Sequence, residues 1–323
     1  MPWRSSVVPC LHTAAVLAVT TQVHAGEPVL VATDAAFGSP KVYHIDPATG
    51  QVLASASLVG TGSIGPTPLS ALAFDAQGRL LGFTPNTDNT TYLVDRHSGQ
   101  ATIIGRLQLS AREGGMATFP DGTIYAASTG TPARLFTINP TTGRASTAAV
   151  IDRPNNISGL GARADGQLVA LDLRAVEEPP ALRVINPTTG QTTLLATLSP
   201  RITLAGTGGL EIIERDGVET GYYIVSGDSP SAPAQLWRFD PYTGEQVPVG
   251  EVPGVLATTG LAGRPCEPCL VDLDGDCQAT VFDFLIYFNW FGAGDVRADL
   301  DGDGQLTIFD FLAFQTAFAL GCH

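Results

Sequence analysis

Lysine is almost absent from this 323-residue sequence: Lys41 is the only one. Lysine and arginine together number 17 against 31 aspartates and glutamates, which sets the formal net charge at −14. Without a basic cluster the chain has no electrostatic footprint for nucleic acid or for an anionic membrane surface. Charged residues of both signs make up only 15 %, and there are five histidines. Common catalytic signatures are missing as well. There is no Gly-x-Ser-x-Gly elbow, no His-Glu-x-x-His and no phosphate-binding loop. Long apolar runs are also missing. The stretch Ala14 to Val19 falls far short of the roughly 20 residues that span a bilayer, and no other segment comes nearer. With Arg4 before it and Val23-His24-Ala25 after it, that stretch predicts an export signal over residues 1–25, cut after Ala25. Cysteine is missing from most of the chain. Apart from Cys10 inside the leader, the four are Cys266, Cys269, Cys277 and Cys322, all in the last sixty residues. An even number in an exported chain points to disulfides, with three pairings open. A redox or zinc role for Cys266-x-x-Cys269 is disfavoured, because no thioredoxin-like unit surrounds it.

What is abundant is glycine (36), proline (23) and apolar side chains (44 %), the composition of a turn-rich β protein. One pattern recurs five times: an apolar strand, then Asp or Asn, often Pro, then Thr/Ser-Gly. It occupies Val42–Gly50, Tyr92–Gly99, Leu135–Gly143, Leu182–Gly190 and Leu236–Gly244. The spacing from one Asp/Asn to the next is 49, 44, 47 and 54 residues. Each copy predicts a β-hairpin, with Asp/Asn-Pro opening the turn and Gly taking the positive φ. A second pair of short strands precedes each hairpin, as at Leu72–Leu81, Met116–Tyr125 and Gly161–Val169. Four strands in about 45 residues is one propeller blade. The first unit lacks its first strand, and Thr259–Gly263 has the look of the missing one, so the two ends of residues 26–264 are expected to close the ring. The fold class is all-β, a five-bladed β-propeller closed by N- and C-terminal strands. Five hairpins favour five blades over a six-bladed ring with one degenerate blade or an open array. The repeat resembles the Tyr-x-Ile-Asp-Pro-x-Thr-Gly repeats of bacterial exported propeller proteins, a resemblance tied to no single activity.

The loops between second and third strands should share one face of the ring. They carry Asp34, Asp88, Asp172 with Glu177 and Glu178, and Asp228, with Arg112, Arg153 and Arg201 nearby. Two facing carboxylates there could serve glycoside hydrolysis. Solvated loop charges are the blander and preferred reading. His44 and His97 belong to the repeat hairpins and read as structural or surface residues.

Residues 265–323 carry the readable chemistry. Asp272–Asp283 and Asp299–Asp310 match at a separation of 27 residues, each with Asp at loop positions 1, 3, 5 and 12. A hard cation such as Ca²⁺ takes six to eight oxygens at about 2.3–2.6 Å. Alternate residues of a tight loop converge on one point, position 7 offers a backbone carbonyl, and position 12 closes the cage from the first turn of a helix. The predicted metal set is Asp272, Asp274, Asp276, Gln278 and Asp283 for one ion, and Asp299, Asp301, Asp303, Gln305 and Asp310 for a second. Thr280 and Thr307 at position 9 could hold a water. Each loop runs into an apolar helix carrying Phe282, Phe284, Leu285, Phe288 and Phe291, or Phe309, Phe311, Leu312, Phe314 and Phe318, at spacings that predict a buried face.

With Asp rather than Glu at position 12 and a duplicated loop, this segment resembles a dockerin, an α-helical paired calcium-loop (EF-hand-type) module. Its Gly321-Cys322 ending resembles the variant at the C-terminus of planctomycete-type exported proteins. The resemblance implies Ca²⁺-dependent folding and docking on a cohesin-like protein. Two departures stand out. Cys277 occupies loop position 6, where Gly normally makes the sharp turn. Positions 10 and 11 are Val281-Phe282 and Ile308-Phe309, an apolar patch if exposed and core if buried. The expectation is a calcium-binding protein secreted to the extracellular space or cell surface of a bacterium. Its propeller is a binding surface and its tail attaches to a cohesin-like partner or a cell-envelope component. The reading leans away from an enzyme. The alternative is a dockerin-bearing carbohydrate-active enzyme of polysaccharide degradation with its site at the channel mouth, and a third reading is a purely structural surface protein.

Overall fold

The computed structural model describes residues 29–34, 39–61, 67–85, 88–112, 114–130, 132–152, 156–173, 179–198, 208–215, 217–227, 229, 231–264, 270–273, 279–300 and 302–320. The predicted leader and all five cysteines lie outside these residues.

Twenty strands form five four-stranded antiparallel sheets. The first blade holds β1 (Val29–Asp34), β2 (Lys41–Ile45) and β3 (Val52–Ser57). The second holds β4 (Ala71–Phe74), β5 (Leu80–Phe83), β6 (Thr90–Val94) and β7 (Ala101–Arg106). The third holds β8 (Met116–Thr118), β9 (Ile124–Ser128), β10 (Arg134–Ile138) and β11 (Ala145–Val150). The fourth holds β12 (Ile157–Ala162), β13 (Leu168–Asp172), β14 (Ala181–Ile185) and β15 (Thr192–Thr197). The fifth holds β16 (Gly208–Arg215), β17 (Val218–Val225), β18 (Ala234–Phe239) and β19 (Gln246–Val252). The last strand, β20 (Thr258–Arg264), returns to the first blade and pairs antiparallel with β1, Val31 opposite Ala262. The propeller has five blades, and its ring is closed by the two ends of the repeat region, as the sequence predicts.

Each seam between blades is filled by its own cluster of buried side chains. Val31, Leu72 and Tyr92 lie between the first two blades, and Leu30, Ile224 and Leu236 between the fifth and the first. Successive residues of β1 therefore serve opposite seams, which is why the inner strands are apolar on both faces. The outermost strands, by contrast, are partly or fully exposed along most of their length.

The recurring turn joins blades as well as strands. In each copy the Asp or Asn side chain accepts backbone N–H groups two residues on, and in four of the five also three on. The closing glycines have φ from +68° to +76°. They also press on the outer strand of the preceding blade: a Cβ on Gly99 would lie 2.2 Å from the Ser57 carbonyl oxygen. The motif repeats because five seams need the same joint.

The axis is closed. Five pairs line it: Ala71-Leu72, Gly115-Met116, Gly159-Leu160, Gly209-Leu210 and Gly260-Leu261, around a gap with no room for a water molecule. A Cβ on Gly115 would sit 2.3 Å from the Leu160 nitrogen, on Gly159 2.3 Å from that of Leu210, and on Gly209 2.4 Å from that of Leu261. Backbone packs on backbone from blade to blade.

Two positions after each axial residue the blades carry Ala73, Ala117, Gly161 and Ala262, but the fifth blade carries Glu211. Its buried carboxylate accepts the Ile212 N–H at 2.9 Å and, across the seam, the Gly263 N–H at 3.2 Å. Burial pushes the Glu211 carboxyl up to about 8 against the two N–H bonds, which act the other way. A raised folded pKa gives stability that is complete below the unfolded value near 4.5 and is lost as pH rises through 8. Melting measured between pH 5 and pH 8 should show this fall, a few kcal/mol at most. Glu211→Gln should flatten it, and equal slopes for wild type and variant would refute the assignment.

Beyond β20 lie helix α1 (Val281–Ala293) and helix α2 (Ile308–Leu320), with a short 3₁₀ turn, Val296–Ala298, between them. Thr280 caps α1 by accepting the Phe282 N–H, and Gly294 ends it with φ 69°. No helix among the described residues is long and apolar enough to cross a membrane.

Candidate metal-binding and docking module

The 27-residue duplication in sequence is a near-twofold arrangement in space. Tyr287 and Phe314, equivalent in the two repeats, stack face to face with centroids 4.0 Å apart and planes 3° from parallel. Equivalent Phe284 and Phe311 meet edge-on at 6.2 Å. Val271 and its equivalent Ala298 are both buried, and the Tyr287 hydroxyl donates to the Ala298 carbonyl at 3.1 Å. Aromatic pairs add about 0.5–1.5 kcal/mol each beyond burial, a substantial share of so small a core.

Two aspartates organise the loops. Asp283 and Asp310, each 0 % exposed, sit one turn into their helices. Asp283 Oδ1 accepts the Leu273 N–H at 2.7 Å, while Oδ2 accepts the Thr280 N–H at 2.7 Å and the Thr280 hydroxyl at 3.1 Å. Asp310 repeats this with Leu300 at 3.0 Å and Thr307 at 2.8 Å. Each carboxylate thus holds the start and end of its own loop, ten and three residues away. In the second loop Asp299 accepts the N–H groups of Gly302 and Gly304, both at 2.8 Å, and the chain curls around it. Asp303 accepts the Gln305 N–H at 2.8 Å. Gly304, at position 6, has φ +81°, the turn that position requires. Burial, and then the charge of Asp310, pushes the Tyr287 hydroxyl up to about 12.

Of the predicted ligands, Asp272, Asp283, Asp299, Asp303, Gln305 and Asp310 are described. Asp274, Asp276, Gln278 and Asp301 lie outside the described residues, as does Cys277. Among the described residues no three His, Cys, Asp or Glu side chains form a ready metal cluster. The donor set nonetheless suits a hard cation. The ligands predicted in both loops offer only oxygen donors, the kind a hard cation takes.

The helices depart from the sequence expectation. Phe284, Phe291, Phe311, Phe314 and Phe318 pack inward. Phe282, Leu285, Phe288, Phe309 and Leu312, expected on the same buried face, point outward. With Val281 and Ile308 they are 45–68 % exposed. Both helices are apolar on two sides, and helical spacing alone could not tell the core side from the other. The open question at positions 10 and 11 is resolved: Val281-Phe282 and Ile308-Phe309 are on the surface.

Of the predicted loop charges on the propeller, Asp34, Asp88, Asp172 and Arg112 are described, and two of them are not solvated. Asp34 is buried and accepts the Tyr43 hydroxyl at 2.8 Å and the Lys41 N–H at 3.1 Å. Burial, then this bond, pushes the Tyr43 hydroxyl far above its ordinary range. Asp172 is buried in an ion pair with Arg183 Nε at 3.0 Å. Asp88 accepts the Tyr92 hydroxyl at 3.4 Å. Arg112 is exposed, its backbone N–H bonded to Ser128 Oγ at 2.8 Å. Glu177, Glu178, Asp228, Arg153 and Arg201 lie outside the described residues. His44 and His97 come together, ring centroids 5.2 Å apart.

No protein-family model matches the chain, and no curated protein matches it. Among solved structures, a nidogen/laminin complex is similar over 73 % of this chain and 98 % of that one, at 13 % identity and a TM-score of 0.44. TolB from Acinetobacter baumannii is similar over 73 % of this chain and 54 % of its own, at 14 % identity and a TM-score of 0.42. Likenesses this distant do not bear on function.

Proposed function

We propose that this chain is an exported calcium-binding modular protein, with the propeller as an interaction surface and the tail as a dockerin-like docking module. The observation that carries the reading is the matched pair Asp283 and Asp310, each buried and each holding both ends of its own acidic loop. One Ca²⁺ would be held by Asp272, Asp274, Asp276, the Gln278 carbonyl and Asp283, the other by Asp299, Asp301, Asp303, the Gln305 carbonyl and Asp310. Calcium would supply the positive charge that lets these carboxylates share two small loops. The duplicated stripe of Val281, Phe282, Leu285 and Phe288, and of Ile308, Phe309 and Leu312, supports docking, because exposed apolar groups in such number mark a contact surface. A cohesin-like protein or a cell-envelope component is the proposed partner. Hydrolysis at the channel mouth draws no support from Asp34 or Asp172, whose carboxylates are engaged with Tyr43 and Arg183.

Isothermal titration of the chelator-treated full chain with CaCl₂ tests the reading. Two equivalents of uptake are expected, with a calcium-dependent rise in the melting of the tail. No heat and no shift would overturn it.

A further inference from the structure

The second blade departs from the repeat at one place. Where the other four turns read Asp/Asn-Pro followed by Ala48, Thr141, Thr188 or Tyr242, this one reads Asp95-Arg96-His97. At that turn the tail touches the propeller. The His97 ring stacks on Phe282 of α1, centroids 5.1 Å apart and planes 28° from parallel. Behind it His44 closes the other side at 5.2 Å, and His44 Nε2 lies 3.2 Å from the Arg96 carbonyl oxygen. Arg96 is buried with its guanidinium 5.7 Å from the Phe74 ring centre. Beside it, within the propeller, the Arg264 guanidinium at the end of β20 reaches across the seam from the first blade to Gly78 of the second.

We propose that His97 and Phe282 form a clasp that seats the tail on the second blade and withholds the Phe282 ring from other partners. The two stripes match in sequence but differ in situation. Phe282 is taken up by the chain's own propeller, whereas its equivalent Phe309 is the most exposed member of either stripe. The occupant of the Phe282 position is thus the propeller itself, while Val281, Leu285 and Phe288 beside it stay exposed. The contact lies between exposed loop and helix surfaces, so it can open without unfolding either part. The proposal rests on the docking reading for its consequence but not for its geometry.

His97→Thr tests it, since Thr stands at this position in the third and fourth blades and keeps the turn intact. Small-angle scattering of the full chain should show a larger maximum dimension for His97→Thr and for Phe282→Ser than for wild type. Phe309→Ser should scatter as wild type does. Amide exchange over 281–285 should rise in His97→Thr while that over 308–312 stays unchanged. Identical scattering and exchange in wild type and His97→Thr would overturn the clasp. Calcium uptake measured on the same samples separates the two ideas. A chain that takes up no calcium yet opens in His97→Thr loses the calcium reading and keeps the clasp.

Discussion

Gly159→Ala is expected to be among the most damaging single methyls at the propeller axis. The added Cβ would fall 2.3 Å from the Leu210 nitrogen and 2.7 Å from the Gly209 carbonyl carbon. Both are backbone atoms of the next blade's innermost strand, so no side chain can swing aside. The strands must part by about an ångström, and in a closed ring that shift is passed to every other seam. Overpacking a core side chain costs about 1–3 kcal/mol, and a rigid backbone neighbour puts this case at or above the upper end. For a domain of this size, 3 kcal/mol or more lowers the melting temperature by about 6–12 °C or more. Two controls separate crowding from chemistry. Gly166→Ala meets nothing within 4 Å but sits at φ +81°, so it pays only backbone strain, about 1–2 kcal/mol. Gly292→Ala, inside α1 with nothing within 4 Å, should be neutral or stabilising by up to about 1 kcal/mol. If Gly159→Ala melts within a degree or two of wild type, the blades do not pack backbone to backbone at the axis.

These glycines show where the sequence was legible and where it was not. Hairpin turns announce themselves locally. Asp/Asn-Pro-x-Thr-Gly fixes a turn through its own side-chain bonds and positive φ, so five blades could be counted and the strand at Thr259–Gly263 matched to the gap at the start. Gly115, Gly159, Gly209 and Gly260 are harder to interpret. They carry no positive φ, and their role is a contact between strands far apart in sequence, Gly159 against Leu210 and Gly260 against Leu72. The signal was present in the Gly-Leu or Gly-Met pair of four of the five inner strands, but alone it says only that the strand is tolerant of glycine. Glu211 was invisible for the same reason, since its second partner, Gly263, lies across a seam.

At the tail, the eight aspartates were legible because they recur at the same loop positions 27 residues apart. The direction each apolar residue faces was not, because α1 and α2 are apolar on both sides and only the partner helix decides which side is core. The pairing of Tyr287 with Phe314 follows from the duplication once a twofold is assumed, yet the sequence offers no reason to assume one. On the propeller, Asp34 and Asp172 looked like surface charges because they close strands. Their partners, Tyr43 and Arg183, sit on the neighbouring strand, where only the register Ala32 opposite Tyr43 and Ala170 opposite Arg183 brings them near.

The second large effect belongs to Asp310. Asp310→Ala removes the acceptor for the Leu300 and Thr307 N–H groups, which anchor the two ends of the second loop. A buried N–H left without an acceptor costs about 1–3 kcal/mol, and two of them exhaust the few kcal/mol that so small a core can supply. The tail should therefore unfold while the propeller does not. In calorimetry a low-temperature transition should vanish and the main one should stay within about 2 °C. Asp310→Asn separates scaffold from ligand. It keeps one acceptor oxygen but turns an NH2 toward the other backbone N–H, so in chelator the tail transition should move down without being lost. It removes a charge, so calcium should no longer raise that tail transition to the wild-type value. For wild type, Ca²⁺ at a hundred times its dissociation constant adds about 2.7 kcal/mol per site. Were Asp310→Asn to respond to calcium just as wild type does, the carboxylate would be a scaffold only. The cation would then have to sit elsewhere or not at all.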